Sequence, residues 1–496
     1  MRSAAAAGAV ALAVACTPPA PSASRADAPA GAASDSVLVL TNATVITMAG
    51  GPQLENQTIV MQAGRIVSVA PSAEIRVPAQ AQAQTVDATG KFVIPGLWDM
   101  HVHTSREGRA RYFWPLFLAH GVTGVREMGS YLDTLLYWRS ELTRAPLDGP
   151  RIIWSSPMFD GSPASWKHGI PLASPAEARV MVDSMQRLGF DFIKVYARLQ
   201  RDVYFAIADQ AKLRGMPFAG HLPGRIELAE AADAGQRSLE HIDGIPLACV
   251  PGASALLDSA YSTSDAAARA ALERRFGRRM LEGFDPDQCG DVLRTLAANR
   301  TWIVPTLTVV RGFTFVRDSA MLRDQRLDLV PPALVRRWLS DANALAVEGP
   351  PERLDFGEEM FRRGVRLVGA MHAAGVGILA GTDASDESFV YAGSSLHDEL
   401  ALLVEGGLSP LDALAAATIR PAEFLGLSDS LGTVEAGRVA DLVILDADPL
   451  ADIRNTRRIH AVVRGGRYIG PDERQRLLTT ARAEAARAVP SPPALQ

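Results

Sequence analysis

Short apolar segments alternate with amphipathic segments through the middle of the chain. We interpret eight apolar segments as buried strands, at a segment ending at residue 103 and at 122–126, 151–156, 190–196, 217–221, 238–241, 302–307 and 376–383. Helical patterns separate most of them and are clearest at 175–188, 202–213 and 358–374. Buried strands that alternate with helices predict a parallel α/β fold, and eight such units favour a (β/α)8 TIM-type barrel. An open doubly wound sheet is the alternative, although no glycine-rich phosphate loop follows the first strand.

Both ends of the chain carry a different pattern. Residues 37–91 and 432–470 contain short β-patterned segments separated by turns. Each end alone has too few strands to bury a core, so we expect both ends to form one small β-sandwich domain. The barrel then spans residues 92–431, and residues 471–496 form a C-terminal tail.

Two helical inserts interrupt the barrel pattern, at residues 245–300 after the sixth strand and at residues 317–348 after the seventh. Barrel enzymes place functional loops after the C-terminal ends of their strands. We therefore expect the inserts to form a lid or wall over the site. The alternative is a surface decoration that does not contact the substrate.

Residues 1–15 have the features of an export signal. A charged Arg2 precedes an alanine-rich apolar segment that is too short to span a bilayer. Cys16 follows a small-X-small sequence, which resembles a bacterial lipoprotein signal, although Ala13 replaces the usual leucine. We predict a lipidated Cys16 and a flexible tether over residues 16–36. The protein would then lie on the periplasmic face of the outer membrane, or be periplasmic or secreted if Cys16 is not lipidated.

Two further cysteines, Cys249 and Cys289, would lie in the same oxidising compartment. Sequence cannot give the separation of their sulfur atoms, so a disulfide and two buried thiols both stay open.

Composition narrows the set of partners. The 496-residue chain is 48% hydrophobic and has a net charge of −5 without a basic block, so nothing indicates a nucleic-acid partner. We expect a small-molecule substrate and membrane contact only through a lipid on Cys16, and a homo-oligomer stays open. Only four of the 50 cationic residues are lysines, so arginine is the default cation of this chain.

The first predicted barrel strand ends in two histidines, His101 and His103. Residues i and i+2 of a strand face the same side, so both imidazoles converge on one point. Converging neutral imidazoles are a start for a divalent metal site. An isolated His-X-His pair is about as often merely packed or exposed, so the rest of the chain must decide.

Four more polar residues stand at or near the C-terminal ends of later strands: Lys194 in the fourth, His221 in the fifth, His241 in the sixth and Asp383 in the eighth. Each histidine alone could be a satisfied core residue, and the aspartate could cap a turn. Lys194 is harder to explain, because it lies in an apolar strand where an unpaired ammonium is costly. Because arginine is the default cation of this chain, a lysine at this buried position indicates an amine that loses its proton. Barrel enzymes have their active sites at the C-terminal ends of the strands. These histidines, the lysine and the aspartate together therefore predict a metal centre there.

These residues occur within longer segments that together resemble the amidohydrolase superfamily. The segments that carry the resemblance are Asp87–His103, Gly121–Gly129, Leu396–Leu400, Gly407–Thr418 and Leu431–Asp446. The resemblance covers about residues 37–470 and is strongest to the imidazolonepropionase-related and Xaa-Pro-dipeptidase-like branch, which includes ochratoxin-type amide hydrolases.

The resemblance implies two divalent metal ions, of which zinc is the expected one. His101, His103 and Asp383 would hold one ion, His221 and His241 the second, and a carboxylated Lys194 would bridge them. It further implies that a metal-bridging hydroxide attacks the amide bond of a dipeptide or N-acyl amino acid, with Asp383 as the proton-transferring catalytic residue.

Other activities stay open at this stage. A mononuclear deaminase or cyclic-amide hydrolase is the nearest alternative, and Lys194 argues against it because mononuclear relatives typically lack the bridging lysine. A lactonase or esterase would use the same metals. A non-catalytic binding protein would be indicated by loss of a ligand, and every expected ligand is present.

Two residues are candidates for substrate contact. His168 lies in a loop after the third strand, where relatives often carry a glycine-rich loop that contains a histidine, and a solvated loop histidine is the alternative. Tyr196 stands two places beyond Lys194 on the same face, where it could orient a substrate carbonyl or carboxylate or could simply pack.

Overall fold

The computed structural model describes residues 37–75, 83–105, 110–146, 149–242, 244–347, 351–384 and 387–487. The predicted export signal at 1–15, Cys16 and the tether at 16–36 lie outside these residues. Within the described ranges, no helix combines the length and the apolar composition that a membrane crossing requires.

The described residues contain sixteen strands and sixteen α-helices. The strands are β1 (Val37–Val45), β2 (Leu54–Gln62), β3 (Arg65–Pro71), β4 (Ala83–Asp87), β5 (Phe92–Pro95), β6 (Leu97–Val102), β7 (Val122–Glu127), β8 (Arg151–Asp160), β9 (Ile170–Pro171), β10 (Phe192–Val195), β11 (Phe218–Gly220), β12 (Ser238–Glu240), β13 (Trp302–Val304), β14 (Leu442–Leu445), β15 (Ile459–Arg464) and β16 (Arg467–Ile469).

The α-helices are α1 (Ala110–Ala119), α2 (Leu132–Arg144), α3 (Pro175–Arg187), α4 (Arg201–Leu213), α5 (Leu228–Asp233), α6 (Gly244–Ala248), α7 (Ala253–Ser262), α8 (Ala266–Glu282), α9 (Pro286–Ala298), α10 (Leu307–Thr314), α11 (Pro332–Val347), α12 (Pro351–Ala373), α13 (Ser394–Glu405), α14 (Pro410–Ala416), α15 (Ile419–Leu425) and α16 (Pro471–Arg487). Short 3-10 helices cover Met321–Arg323, Gln325–Leu329 and Ile453–Arg457.

Strands from both ends of the chain form one mostly antiparallel sheet. Its order is β16-β15-β14-β5-β1-β2-β3, and β4 pairs with β1. Leu40 and Ile59 from the first end share one hydrophobic core with Leu442 and Val463 from the second. The predicted terminal β-domain is therefore confirmed as a separate sheet built from both ends.

The expected boundary at residue 92 was wrong. Strand β5 pairs with β1 and β14, so the terminal sheet continues to Pro95. Val93 packs into the core of this sheet, whereas the next residue, Ile94, packs into the barrel core. A strand that is buried on both faces has a continuously apolar sequence. Strands β5 and β6 therefore look like one apolar segment, and the sequence does not show the domain boundary between them.

The second sheet is a nearly closed parallel barrel of seven strands in the order β6-β7-β8-β10-β11-β12-β13, to which the short β9 adds beside β8. The expected eighth strand, residues 376–383, lies between β13 and β6 but makes only single bridges to them. They are Ile303 to Ile378 and Val102 to Ala384. The barrel fold is therefore confirmed, with an irregular eighth segment.

Both predicted inserts are largely helical. The first contains α6 to α9, and a disulfide joins Cys249, the residue after α6, to Cys289 in α9. The second contains two 3-10 helices and α11, and its Trp338 ring contacts Phe389 (5.8 Å) and Tyr391 (5.9 Å), which follow the eighth segment. The second insert therefore lies against the loop beyond Asp383, and a lid function stays a prediction.

Residues 471–487 do not form the expected tail. They form α16, which packs on α1, with Ala481 and Ala485 buried one turn apart. The Arg474 Nε atom donates to the carbonyl oxygen of Ala119 at 2.9 Å. Leu477 and Leu478 pack against the barrel core beside these alanines, but the helix is otherwise rich in charged residues, so its apolar face is narrow. The remainder of the predicted tail lies outside the described residues.

Candidate metal centre

His101 and His103 lie at the end of β6 and face Asp383 from the eighth segment. The Nε2 atoms of both histidines lie 3.4 Å from Asp383 Oδ1. The backbone N–H of Asp383 donates to the His101 carbonyl oxygen at 2.8 Å, which fixes the carboxylate opposite the two rings. The first strand and the eighth segment thus supply one group of three potential ligands.

His221 and His241 follow the last residues of β11 and β12. The His221 and His241 ring centroids are 4.6 Å apart, and the His241 ring lies 4.9 Å from the His101 ring. One ligand atom each of His101, His241 and Asp383 lies within 4.8 Å of the others. The four predicted histidines and Asp383 are therefore brought together at the C-terminal end of the barrel.

Lys194 reaches the same centre from β10 and is fully buried. Burial and, to a smaller extent, the Lys194 charge together lower the pKa of His221 well below its usual range and that of His241 to about 4. The two imidazoles are consequently neutral at physiological pH, which is the state that binds metal.

The residues fit a bound cation. Among the described residues, no hydrogen-bond partner meets the buried Nδ1 atom of His221. A buried polar atom without a partner is costly, and coordination to a metal ion would satisfy it. Imidazole nitrogens together with a carboxylate oxygen are ligands that suit zinc and other divalent transition-metal ions.

The other ring nitrogens of three site histidines are held by hydrogen bonds. The Nδ1 atom of His101 lies 2.9 Å from Glu240 Oε2, that of His103 lies 2.8 Å from the Gly129 carbonyl, and that of His241 lies 2.7 Å from Thr306 Oγ1. Such contacts orient a metal-binding imidazole and leave its Nε2 atom for the ion.

Three residues of the centre have left-handed backbone conformations. The φ angles are 68° at His241, 46° at Thr306 and 59° at Asp383. Such conformations cost about 1–3 kcal/mol each in non-glycine residues and cluster at functional sites. His241 and Thr306 lie just beyond the ends of β12 and β13, and Asp383 lies in the eighth segment, so these conformations coincide with the candidate centre.

One side of the centre is an aromatic wall. Tyr196 packs on His221, with ring centroids 4.1 Å apart, and its hydroxyl accepts a hydrogen bond from Trp166 Nε1 at 2.7 Å. His168 lies one layer further out, between the rings of Trp166 (6.0 Å) and Tyr131 (5.6 Å). Burial raises the pKa of Tyr196 to about 12, so its phenol stays protonated. Tyr196 therefore contacts a histidine of the centre directly. His168 contacts Trp166, which in turn contacts Tyr196.

Sequence reasoning missed the residues that support the ligands, above all Glu240, Arg126 and Thr306. A signal existed for two of them, because Arg126 and Glu240 are charged residues inside apolar strands, the same feature that singled out Lys194. Thr306 carried no signal, since its role depends on a left-handed turn that sequence does not indicate.

Comparisons with known proteins show the family and the fold. Residues 92–469 match the sequence model described as the amidohydrolase family. The chain is 25% identical over 428 residues to an imidazolonepropionase of Sphingopyxis alaskensis, covering 83% of this chain and 92% of that protein. Its fold is similar to that of a bottromycin amidohydrolase (TM-score 0.70, 24% identity, 93% of this chain and 92% of that chain). It is also similar to a Xaa-Pro dipeptidase solved with bound methionine (TM-score 0.63, 18% identity, 88% of this chain and 100% of that chain).

Proposed function

Because the chain belongs to the amidohydrolase family and is a metal-dependent hydrolase of carbon–nitrogen bonds, we propose that it cleaves the amide bond of a dipeptide or an N-acyl amino acid at a binuclear site. The observation that carries the proposal is the convergence of four histidines, Lys194 and Asp383 at one end of the barrel. A mononuclear site would not need the buried lysine.

His101, His103 and Asp383 would hold one divalent ion, His221 and His241 the second, and zinc suits both sets. Lys194 would bridge the ions as a carbamate. Its burial beside His221 and His241 supports this, because an ammonium there would repel both ions, whereas a carboxylated lysine is an anionic ligand with two oxygens. Bound divalent ions supply a water acidified towards neutral pH and polarise a substrate carbonyl.

Asp383 would move the proton. Its side chain keeps 13% of its surface exposed, so substrate can reach it while its Oδ1 atom stays 3.4 Å from the two histidines. A carboxylate in this position accepts the proton of the attacking water and delivers it to the leaving nitrogen. That transfer matters because an amide nitrogen leaves readily only as a neutral amine.

Tyr196 and His168 would orient the substrate. The Trp166 N–H occupies a lone pair of the Tyr196 oxygen, so the phenol proton remains to donate to a substrate carbonyl or carboxylate. His168 is buried behind Trp166 and would act on the substrate through the position of that ring.

A cyclic-amide hydrolase is the second candidate, and the similarity to an imidazolonepropionase favours it. Both candidates break a carbon–nitrogen bond, but a cyclic substrate yields one product and a linear amide yields two.

A substrate panel separates these candidates. The chain without its predicted signal and Cys16, supplied with zinc and bicarbonate, would be tested on dipeptides, N-acyl amino acids and ring amides. We expect release of a primary or secondary amine from linear substrates. Hydrolysis of ring amides alone would contradict the proposal. A Tyr196→Phe variant should raise KM or lower kcat for the substrates that are cleaved.

A further inference from the structure

A buried ion pair lies inside the barrel beneath the metal centre. The Nη2 atom of Arg126 on β7 donates to both carboxylate oxygens of Glu240 on β12, at 2.8 Å each, and the two side chains are 1% and 0% exposed. Arg126 also donates to the Met100 carbonyl at 2.7 Å and to Ser238 Oγ at 2.9 Å. A buried ion pair seldom adds net stability, because its desolvation offsets its attraction. Glu240 Oε1 also accepts a hydrogen bond from Ser238 Oγ at 2.6 Å, and one further contact of Glu240 reaches the metal centre.

That contact is a hydrogen bond to a metal ligand. Glu240 Oε2 lies 2.9 Å from His101 Nδ1, while His101 Nε2 faces Asp383 at 3.4 Å. An ionised carboxylate can only accept, so the proton belongs on Nδ1 and the lone pair of Nε2 faces the centre. The negative charge also increases the electron density of the ring and strengthens Nε2 as a ligand.

The site histidines differ in this support. His101 is held by a carboxylate, His103 by the backbone carbonyl of Gly129, and His241 by the neutral hydroxyl of Thr306. The charged support thus acts on one of the two ligand groups, and a neutral support acts on the other.

We propose that Glu240, paired with Arg126, is a positioning residue that strengthens the metal ion held by His101, and that Thr306 does the same, more weakly, for the ion held by His241. The proposal rests on the binuclear site proposed above. Loss of either support should therefore weaken one metal-binding step and spare the other.

The test is a zinc titration of the metal-free protein against a chelating dye, in buffer with bicarbonate. Glu240→Gln should weaken one binding step by about ten- to a hundredfold, the range found for outer-sphere partners of metal ligands. Thr306→Val should weaken the other step by a smaller factor, and Thr306→Ser, which keeps the hydroxyl, should restore it. The double variant Glu240→Gln/Thr306→Val should show both losses.

Asp441→Asn is the matched control. Asp441 is a buried carboxylate that pairs with Arg151 at 2.7 Å and with Arg464, at the junction with the terminal sheet. Thermal melting of the metal-free variants would report their stability, and the control should lose stability without losing zinc affinity. Unchanged zinc affinity in a folded Glu240→Gln, or an equal loss in Asp441→Asn, would overturn the inference.

The same titration separates this inference from the proposed function. If the unmodified protein binds a single zinc ion, the binuclear proposal fails. The role of Glu240 is then still decided by whether Glu240→Gln weakens that one ion.

Discussion

Gly381 provides a test of how closely the eighth segment is packed against the metal centre. A Cβ atom at this position would lie 2.5 Å from Val304 Cγ1 and 3.0 Å from both the Cβ and the backbone nitrogen of His101. Carbon atoms in favourable contact lie about 3.5–4.0 Å apart, so Gly381→Ala creates overlaps of roughly 0.5–1.5 Å. Val304 and His101 are both fully buried, so a shift of either residue would disturb the atoms packed around it.

We expect Gly381→Ala to cost about 1–3 kcal/mol of unfolding free energy, the usual range for overpacking a core. It should also weaken zinc binding, because ligand positions must hold to about 0.2 Å. Chemical denaturation and zinc titration would measure the two effects. Gly277→Ala is the control, since no atom lies within 4 Å of the added Cβ on α8, and it should stabilise the helix by about 0.5–1 kcal/mol. Unchanged stability and zinc affinity in Gly381→Ala would refute the packing argument.

Three further predictions concern charge. Lys194→Ala should lose most bound metal and activity, and near-normal loading with two ions would contradict the bridging role. Asp383→Asn should reduce turnover far more than metal content; an equal fall in both would make Asp383 mainly a ligand. Burial raises the pKa of Glu399 to about 8, so the folded state binds a proton that the unfolded state lacks, and stability should fall as pH rises. The loss between pH 7 and 9 should be on the order of 1 kcal/mol and absent in Glu399→Gln, as urea unfolding would show.

The sequence predicted which side chains meet at the C-terminal end of the barrel better than it predicted the residues around them. His101, His221 and Asp383 end or follow apolar segments. A parallel barrel brings the C-terminal ends of its strands together independently of the conformation of the loops. The supports of the ligands depend on contacts between distant segments. The Gly129 carbonyl is 26 residues from His103, and Thr306 is 65 residues from His241.

Two errors in the predicted fold have physical reasons. The eighth segment is irregular because its glycines admit close neighbours, and a Cβ at Gly377 would lie 2.3 Å from the Trp302 ring. Helix α16 was missed because its apolar face consists of only two leucines and two buried alanines, which leaves a weak hydrophobic pattern among many charged residues. The Cys249–Cys289 pairing stayed open because it depends on a geometry that spacing does not determine.

The most direct test of the binuclear site is the metal content per chain, measured by elemental analysis of protein prepared with bicarbonate and without chelator. The account predicts about two divalent ions per chain, one for each ligand group. About one ion per chain would contradict it and would favour a mononuclear cyclic-amide hydrolase or deaminase, with Lys194 then left without a metal-bridging role.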